Sequence, residues 1–216
     1  MIKLLKKEIK LVLNPLFLIF SALASLILIP NYPVWVGMLY SVIAIQVVFS
    51  MAAEKKDLEF TAMLPVSRDD IVFARHFDVF VIELTQILAS VPFALLAVFV
   101  VSPGGNPVGM DANMAFFGMV FVCYAVLNLI FLPWHFKTGY KSVPQMLVGL
   151  FVYFAMAFAF ELVINLIPAL KNILDTQDPS SFWIRFGVLA GGIVIYIAGL
   201  LLSYRVSAKN FRKVNL

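Results

Sequence analysis

Four polar side chains lie inside apolar stretches of this sequence, and their types and spacing could give them a functional role. Glu83 is followed at i+3 by Gln86, and Glu161 is followed at i+4 by Asn165. Each pair therefore shares one face of a helix. Such side chains are costly in an apolar helix and are candidates for function. They could line a polar path. Alternatively, the first pair could bond a neighbouring helix, and Glu161 could lie hydrated at an interface.

The residue types that catalysis or metal binding would need are sparse. The chain has one cysteine, Cys123, and its two histidines are His76 and His135. Neither an HExxH pattern nor the Walker lysine motif occurs, and a single cysteine excludes an internal disulfide. We therefore expect no catalytic residue, no metal and no cofactor on this chain. His135, which follows Trp134, is predicted to lie at a membrane interface.

The composition indicates which solvent surrounds these side chains. Of the 216 residues, 62% are hydrophobic and 13% are charged, against about 45–50% and 25% in an ordinary soluble domain. A chain of this kind needs lipid around several helices, each of about 20 apolar residues. We predict an all-α integral membrane protein, with residues 1–216 forming a single transmembrane domain and no room for a large soluble domain.

The spans can be placed from the apolar stretches. Six transmembrane helices are predicted over about 15–32, 34–53, 77–101, 114–134, 146–168 and 182–204. None of these stretches alternates as a lipid-facing barrel strand would. The first is short for a crossing at about 1.5 Å per residue, so it must extend to Asn31 and Tyr32 or thin the bilayer.

Two spacings predict how particular spans pack. Arg75 lies three residues before Asp78, so the two can form an ion pair on one helix face. Four glycines of the last span suggest close helix packing: Gly187, Gly191, Gly192 and Gly199. Gly187 and Gly191 among them form a small-xxx-small pair, a common packing motif.

Basic residues predict the orientation. All of the 16 Lys and Arg residues except Lys171 and Arg185 fall on one side of the six stretches. Cytoplasmic loops carry the excess of these residues. Both termini are therefore predicted to be cytoplasmic, in a multi-pass protein of the plasma membrane. The net charge of +4 reflects this sidedness, and no nucleic-acid partner is expected.

Residues 1–14 carry a stripe of lysines at the spacing i, i+3, i+4 and i+7. The stripe consists of Lys3, Lys6, Lys7 and Lys10. This spacing predicts an amphipathic elbow helix that lies on the membrane surface, with its lysines toward the anionic inner leaflet. A secretory signal is the alternative, because Ala22-Leu23-Ala24 resembles a cleavage site. That tripeptide lies inside the apolar run, whereas a cleavage site normally follows it.

The segment 54–76, between the second and third spans, has its own organisation. Charged residues are followed by large apolar ones, by a break at Pro65 and by a capping-box variant in which Asp70 follows Ser67. The candidate contact residues are Glu54, Asp57, Glu59, Phe60, Met63, Leu64, Pro65, Ser67 and Arg68. Large apolar side chains in a cytoplasmic turn favour burial against a partner, and the mixed charges favour a protein over an anionic leaflet. A solvated loop is the alternative.

Part of this segment resembles a known family. The runs Glu-Lys-Lys-Asp-Leu-Glu at 54–59 and Leu-Pro-Val-Ser-Arg at 64–68, with Ile71 and Ala74 after them, resemble the segment after the second helix of ABC-2 type permeases. These are the membrane subunits of ATP-binding-cassette exporters. Within the family, the sequence is similar to the small six-helix permeases that export phenol-soluble modulins. It departs at Asp57-Leu58, where many members have Gly-Thr.

The resemblance implies a role for each part of the chain. The segment 54–76 would be a coupling element seated in a groove of a separate ABC ATPase, which would bind ATP and Mg. The permease would pair with a second copy, as a homodimer, or with a sister permease in the lipid bilayer. It would export amphipathic or hydrophobic substrates, with peptides favoured, by alternating access. The alternatives are export of small drugs or lipids, and a non-transporting immunity or scaffold protein.

Overall fold

Every regular element is a helix in the residues that the structure describes, which confirms the predicted all-α class. The structure is a computed structural model, and it describes residues 2–9, 16–63, 65–101, 105–106, 108–138, 143–176 and 178–214. Among the predicted site residues, Lys10 and Leu64 lie outside these ranges.

The helices follow one another with short connections. In chain order they are α1 Ile2–Lys7, α2 Leu16–Ala22, α3 Val34–Glu54, α4 Asp57–Ala62, α5 Arg68–Leu96, α6 Met114–Thr138, α7 Val143–Leu166, α8 Pro168–Leu174 and α9 Phe182–Phe211. A 3-10 helix, Leu23–Leu28, continues α2, and a π-helix, Ala97–Val101, continues α5.

Five of these helices are long and apolar enough to cross a membrane. They are α3, α5, α6, α7 and α9, which correspond to the second to sixth predicted spans. The apolar helix Phe17–Leu28 is shorter than a usual crossing. Five membrane-spanning helices are therefore supported by length and composition, and the sixth stays a prediction.

The central helix of the bundle is α6, which is buried along most of its length between α3, α7 and α9. Glycine allows the closest approach in the bundle, because a Cβ built on Gly192 of α9 would lie 2.1 Å from the carbonyl oxygen of Gly118 in α6. The predicted close packing is confirmed for Gly192 and for Gly199, where a Cβ would lie 2.9 Å from Ala125 Cβ. It is wrong for the pair Gly187 and Gly191 within the described part of the chain, because these two glycines are exposed and a Cβ on either would meet no described atom within 4 Å.

The central position of α6 also explains where His135 lies. Its side chain is 7% exposed, and its ring centroid is 4.8 Å from that of Phe49 in α3. The expected snorkelling side chain is wrong, because neighbouring helices cover this end of α6. The position of His135 at a membrane interface stays a prediction. Trp134, the residue before it, is exposed instead.

Candidate functional site

A capping box fixes the start of α5. The amide of Asp70 donates to Ser67 Oγ at 3.1 Å, and the amide of Ser67 donates to Asp70 Oδ2 at 3.3 Å, as the sequence predicts. The helix that begins here carries Arg75 and Asp78 on one face. Arg75 Nη1 lies 3.3 Å from Asp78 Oδ2, which confirms the predicted ion pair.

Arg75 is the centre of a buried charge cluster that joins three parts of the chain. Its Nη1 also lies 3.3 Å from Oε2 of Glu8, the residue after α1, and its Nη2 binds Asp57, the first residue of α4. The side chains of Arg75 and Glu8 are 5% and 2% exposed. Removing one partner of a buried ion pair leaves an uncompensated charge. These contacts therefore fix α1 and α4 against α5.

Lys7 supplies the second cation of the cluster. Its Nζ lies 2.7 Å from Asp57 Oδ1 and 3.1 Å from Glu8 Oε1, and it donates to Thr61 Oγ1 at 2.7 Å. The amine of Lys7 thus turns toward α4, whereas Lys6 is exposed. We call Lys7, Glu8, Asp57, Arg75 and Asp78 the Arg75 cluster. A membrane-surface role for the lysine stripe stays a prediction.

The short helix α4 has two different faces. A turn precedes it, in which Lys56 has a φ of 51°, and this turn redirects the chain at the end of α3. On one face, Asp57 and Thr61 lie four residues apart and bind the cluster. On the other, Phe60 is 57% exposed, and Met63, just after the helix, is 81% exposed. The first face holds α4 in place, and the second leaves large apolar side chains uncovered.

The remaining candidate contact residues lie in α4 or close to it in the chain. Glu54, Pro65 and Ser67 are exposed, and Glu59 belongs to α4. Arg68 is exposed too, but its Nη1 lies 3.0 Å from the carbonyl oxygen of Arg212 and 2.9 Å from that of Val214. Carbonyl groups at a helix end need donors. Arg68 therefore holds the end of α9 to the start of α5, rather than bonding its acidic neighbours.

Glu83 and Gln86 lie buried between helices. Glu83 accepts hydrogen bonds from Tyr196 Oη at 2.6 Å and from Asn128 Nδ2 at 3.0 Å, and it is 1% exposed. Gln86 Nε2 donates to the carbonyl oxygen of Gly37 at 2.7 Å. These bonds join α5 to α3, α6 and α9, and they match the alternative in which the two side chains bond neighbouring helices. A place on a translocation path stays a prediction.

Glu161 and Asn165 lie at the opposite end of the helices from the Arg75 cluster. Glu161 Oε1 accepts from Trp35 Nε1 at 2.8 Å and from the amide of Met110 at 3.0 Å. Asn165 Nδ2 lies 3.3 Å from Glu161 Oε2. A Cβ on Gly109 would lie 2.7 Å from Glu161 Oε1, so a larger residue there would have to displace this carboxylate. Glu161 thus joins α7 to α3 and to the loop before α6.

Sequence reasoning missed Glu8 and two of the three ion pairs of Arg75. Spacing along one helix reveals the pair with Asp78, but contacts between α1, α4 and α5 depend on tertiary structure. One signal was available, because Glu8 is the single acidic residue within the lysine-rich residues 1–14. An isolated acid in a basic helix is a candidate for a buried partner.

Five of the described helices are long and apolar enough to span a membrane, and the short helices α1 and α4 are held against one end of them by ion pairs. This arrangement describes a multi-pass membrane protein. The family model described as ABC-2 family transporter protein matches residues 3–212. The chain therefore belongs to the ABC-2 transporter family. No curated protein and no solved structure matches it. Family membership makes the chain the membrane component of a transporter and implies an ABC ATPase as its partner.

Proposed function

We propose that this chain is the permease subunit of an ATP-driven ABC exporter, and that residues 54–68 receive the ATPase. The observation that carries the proposal is the two-faced helix α4. Phe60 and Met63 are exposed although they lie outside the apolar spans, while Asp57 and Thr61 are bonded on the other side. Buried aromatic and methionine anchors are typical of interface cores. An ATPase groove would cover them.

Movement of the ATPase would reach the membrane through the Arg75 cluster. The cluster joins α4 to α5 through Asp57 and Arg75, and to α1 through Asp57 and Lys7. A short turn also connects α4 to α3. A displacement of α4 on nucleotide binding therefore displaces α1, α3 and α5 together. We propose that this displacement switches the transporter between its inward-open and outward-open states.

Connectivity supports a sixth crossing by residues 16–28 and cytoplasmic positions for both termini. Glu8 binds Arg75 near the start of α5, and Val214 accepts from Arg68 at the same end. At the other end of the bundle, the backbone carbonyl oxygen of Tyr32 accepts a hydrogen bond of 3.0 Å from the side-chain amide of Asn106, which lies in the loop before α6. Because Glu8 and Val214 lie at the same end of the bundle, an even number of crossings fits these contacts. The helix over 16–28 would add the sixth, with α1 as the elbow helix.

The assembly and the cargo follow from the exporter class. A six-span chain would pair with a second copy or with a sister permease, because twofold assemblies dominate among oligomers and an ABC exporter uses two permease halves. ATP and Mg would be bound by the ATPase. The cargo favoured by this apolar chain is amphipathic or hydrophobic. Peptides are the first choice, in line with the phenol-soluble modulin branch, and small drugs or lipids are the second.

Cross-linking tests the proposed surface. In a Cys123→Ser background, Met63→Cys should form a cross-link to the co-expressed ABC ATPase with a short bifunctional reagent. Phe151→Cys is the matched control, because Phe151 is 74% exposed on α7 and Met63 is 81% exposed. The control should give no ATPase cross-link. A purified complex that contains the ATPase but gives no cross-link at position 63 would contradict the proposal.

A further inference from the structure

An apolar groove opens between α5 and α9, toward the end of these helices that is far from the Arg75 cluster. Its volume is about 560 Å³, which lies within the roughly 300–1,000 Å³ of ligand pockets. Phe117 and Phe121 of α6 form its floor. The two walls are formed by apolar residues of α5 and α9, among them Leu84, Leu88, Val91, Leu189 and Ile193.

The groove begins where the paired part of α5 and α9 ends. His76 Nε2 of α5 lies 3.2 Å from Ser203 Oγ of α9, and the rings of Phe80 and Tyr196 stack with centroids 6.5 Å apart. Leu84 and Ile193 line the groove about one helical turn further on. The two helices are therefore held together at one end, and the groove occupies the space between them beyond that contact.

A single cation lines this groove among the residues that the structure describes. Arg185 is 9% exposed, and its guanidinium binds the backbone carbonyl oxygens of Thr176, Asp178 and Ser181. Neutral carbonyl groups leave the unit charge in place, and these contacts use only part of the five N–H donors of the guanidinium. Arg185 thus supplies the one cationic side chain of the described lining, at this end of the groove.

The neighbouring carboxylate of Asp178 does not form an ion pair with Arg185 in the described structure. It accepts from the amide of Ser180 at 3.0 Å. This hydrogen bond, more than the charge of Arg185, lowers the pKa of Asp178. Asn113, the other polar residue of the lining, is also occupied, because its amide group donates to Leu174 and its oxygen accepts from Phe116. Arg185 is the group that can attract a ligand.

We propose that the groove binds one anionic phospholipid of the bilayer, with an acyl chain along α5 and the phosphate at Arg185. From Leu84 to Phe99, α5 and its π-helical end run about 22 Å at 1.5 Å per residue. One leaflet is about 15 Å deep, half of the roughly 30 Å hydrocarbon core. The groove is therefore long enough for a full acyl chain. Leu88 and Val91 are exposed, so the lipid can enter sideways from the membrane.

The charge of Arg185 selects the headgroup. A guanidinium binds a phosphate with two parallel hydrogen bonds. An anionic headgroup has no cation of its own to compete for that phosphate, whereas a zwitterionic headgroup has one. The preference expected for one basic residue near a membrane surface is about fivefold. This inference does not depend on the ATPase contact, and it holds or fails separately from it.

The test measures lipid retention by the full chain purified in mild detergent. The probes are phosphatidylglycerol and phosphatidylcholine with identical chains, each carrying a diazirine on one acyl chain. Native mass spectrometry should find phosphatidylglycerol retained about fivefold better, and photolabelling should map to 84–99 or to 182–193. Arg185→Gln should abolish the preference, and Arg185→Lys should keep most of it. Equal retention of the two lipids by the wild type would overturn the proposal.

A groove-filling variant keeps the test independent of the folding role of Arg185. Leu88→Trp places an indole in the groove, and Leu201→Trp is the matched control on the outer surface of α9. The two leucines are 61% and 58% exposed. Leu88→Trp should lose groove labelling by both lipids, and Leu201→Trp should keep it. Unchanged labelling of Leu88→Trp would refute the lipid site. Labelling by a photoreactive amphipathic peptide in preference to either lipid would also refute it and would assign the groove to cargo.

Discussion

Arg75 and Asp57 form an ion pair that links a span of the membrane bundle to the short helix α4 outside it. The two residues are 18 positions apart in the chain, and their side chains are 5% and 14% exposed. Asp57 also binds Lys7, and Arg75 also binds Glu8 and Asp78. The pair is therefore a direct side-chain connection between the proposed ATPase surface and α5.

Asp57→Asn should loosen α4 without altering its exposed apolar face. Removing one partner of a buried ion pair costs about 3 kcal/mol, and Asp57 faces both Arg75 and Lys7. We expect a lower thermal midpoint in detergent and weaker substrate-stimulated ATP hydrolysis, with the ATPase still bound. Lys209→Gln, at an exposed position of α9 outside residues 54–68, is the control and should behave as wild type. Wild-type stimulation of ATP hydrolysis by substrate in Asp57→Asn would show that the ion pair does not transmit movement from α4 to α5.

Glu8→Gln should release the end of α1 from α5. The carboxylate of Glu8 is 2% exposed and contacts Arg75 and Lys7, so its loss removes the anion that holds α1. Hydrogen–deuterium exchange over residues 2–9 should become faster. Lys6→Gln changes an exposed neighbour and should leave the exchange unchanged. Equal exchange in the wild type and in Glu8→Gln would mean that α1 is held by its apolar side chains alone.

Tyr196→Phe should weaken the hydrogen-bonded contact that Glu83 makes between α5, α6 and α9. The phenol donates to Glu83 at 2.6 Å in a buried site, and hydrogen bonds between membrane helices are worth about 0.6–1.7 kcal/mol. A double-mutant cycle with Glu83→Gln, read by thermal unfolding, should give a coupling energy in that range. Strictly additive effects of the two substitutions would argue against the bond.

The glycines of α9 give an internal comparison. Gly192→Ala would place a Cβ 2.1 Å from the carbonyl oxygen of Gly118, whereas a Cβ on Gly187 would meet no atom of the described residues within 4 Å. Overpacking of a tight contact costs about 1–3 kcal/mol. Gly192→Ala should therefore lower the thermal midpoint, and Gly187→Ala should leave it unchanged in the monomer. If Gly187→Ala lowered the thermal midpoint and Gly192→Ala did not, α9 would pack against α6 through its opposite face.

Features with a local cause could be predicted from the sequence. The capping box of Ser67 and Asp70 and the pair of Arg75 with Asp78 depend on residues three apart, and both occur. Five of the predicted spans are helices of sufficient length, because each apolar stretch needs its backbone bonds satisfied within itself. Local spacing and apolar length thus determine much of the secondary structure.

Features that depend on neighbours could not be predicted in this way. The glycines of α9 predict close packing, but the sequence does not show which of them face α6, and the structure places Gly192 and Gly199 there and not the pair Gly187 and Gly191. The lysine stripe suggests four equivalent side chains, but Lys7 meets Asp57 because α4 folds back toward α1. In both cases a helix has several eligible faces, and tertiary packing selects one of them.

The proposed coupling surface is tested most directly by changing its exposed anchors and measuring both ATPase binding and coupling. Phe60→Ala with Met63→Ala removes side chains that are 57% and 81% exposed, so the permease fold should keep its thermal midpoint. Truncation of interface anchors costs about 2 kcal/mol or more of association. Phe151→Ala, which removes an exposed aromatic from α7, is the control and should keep full function.

The decisive measurement is the amount of ABC ATPase that co-purifies with the Phe60→Ala, Met63→Ala variant, together with its substrate-stimulated ATP hydrolysis. We predict that both fall well below those of the wild type and of Phe151→Ala, at an unchanged thermal midpoint. Full ATPase retention with wild-type stimulation would contradict the account, because α4 would then be a connection between two spans and not the contact that couples them to ATP hydrolysis.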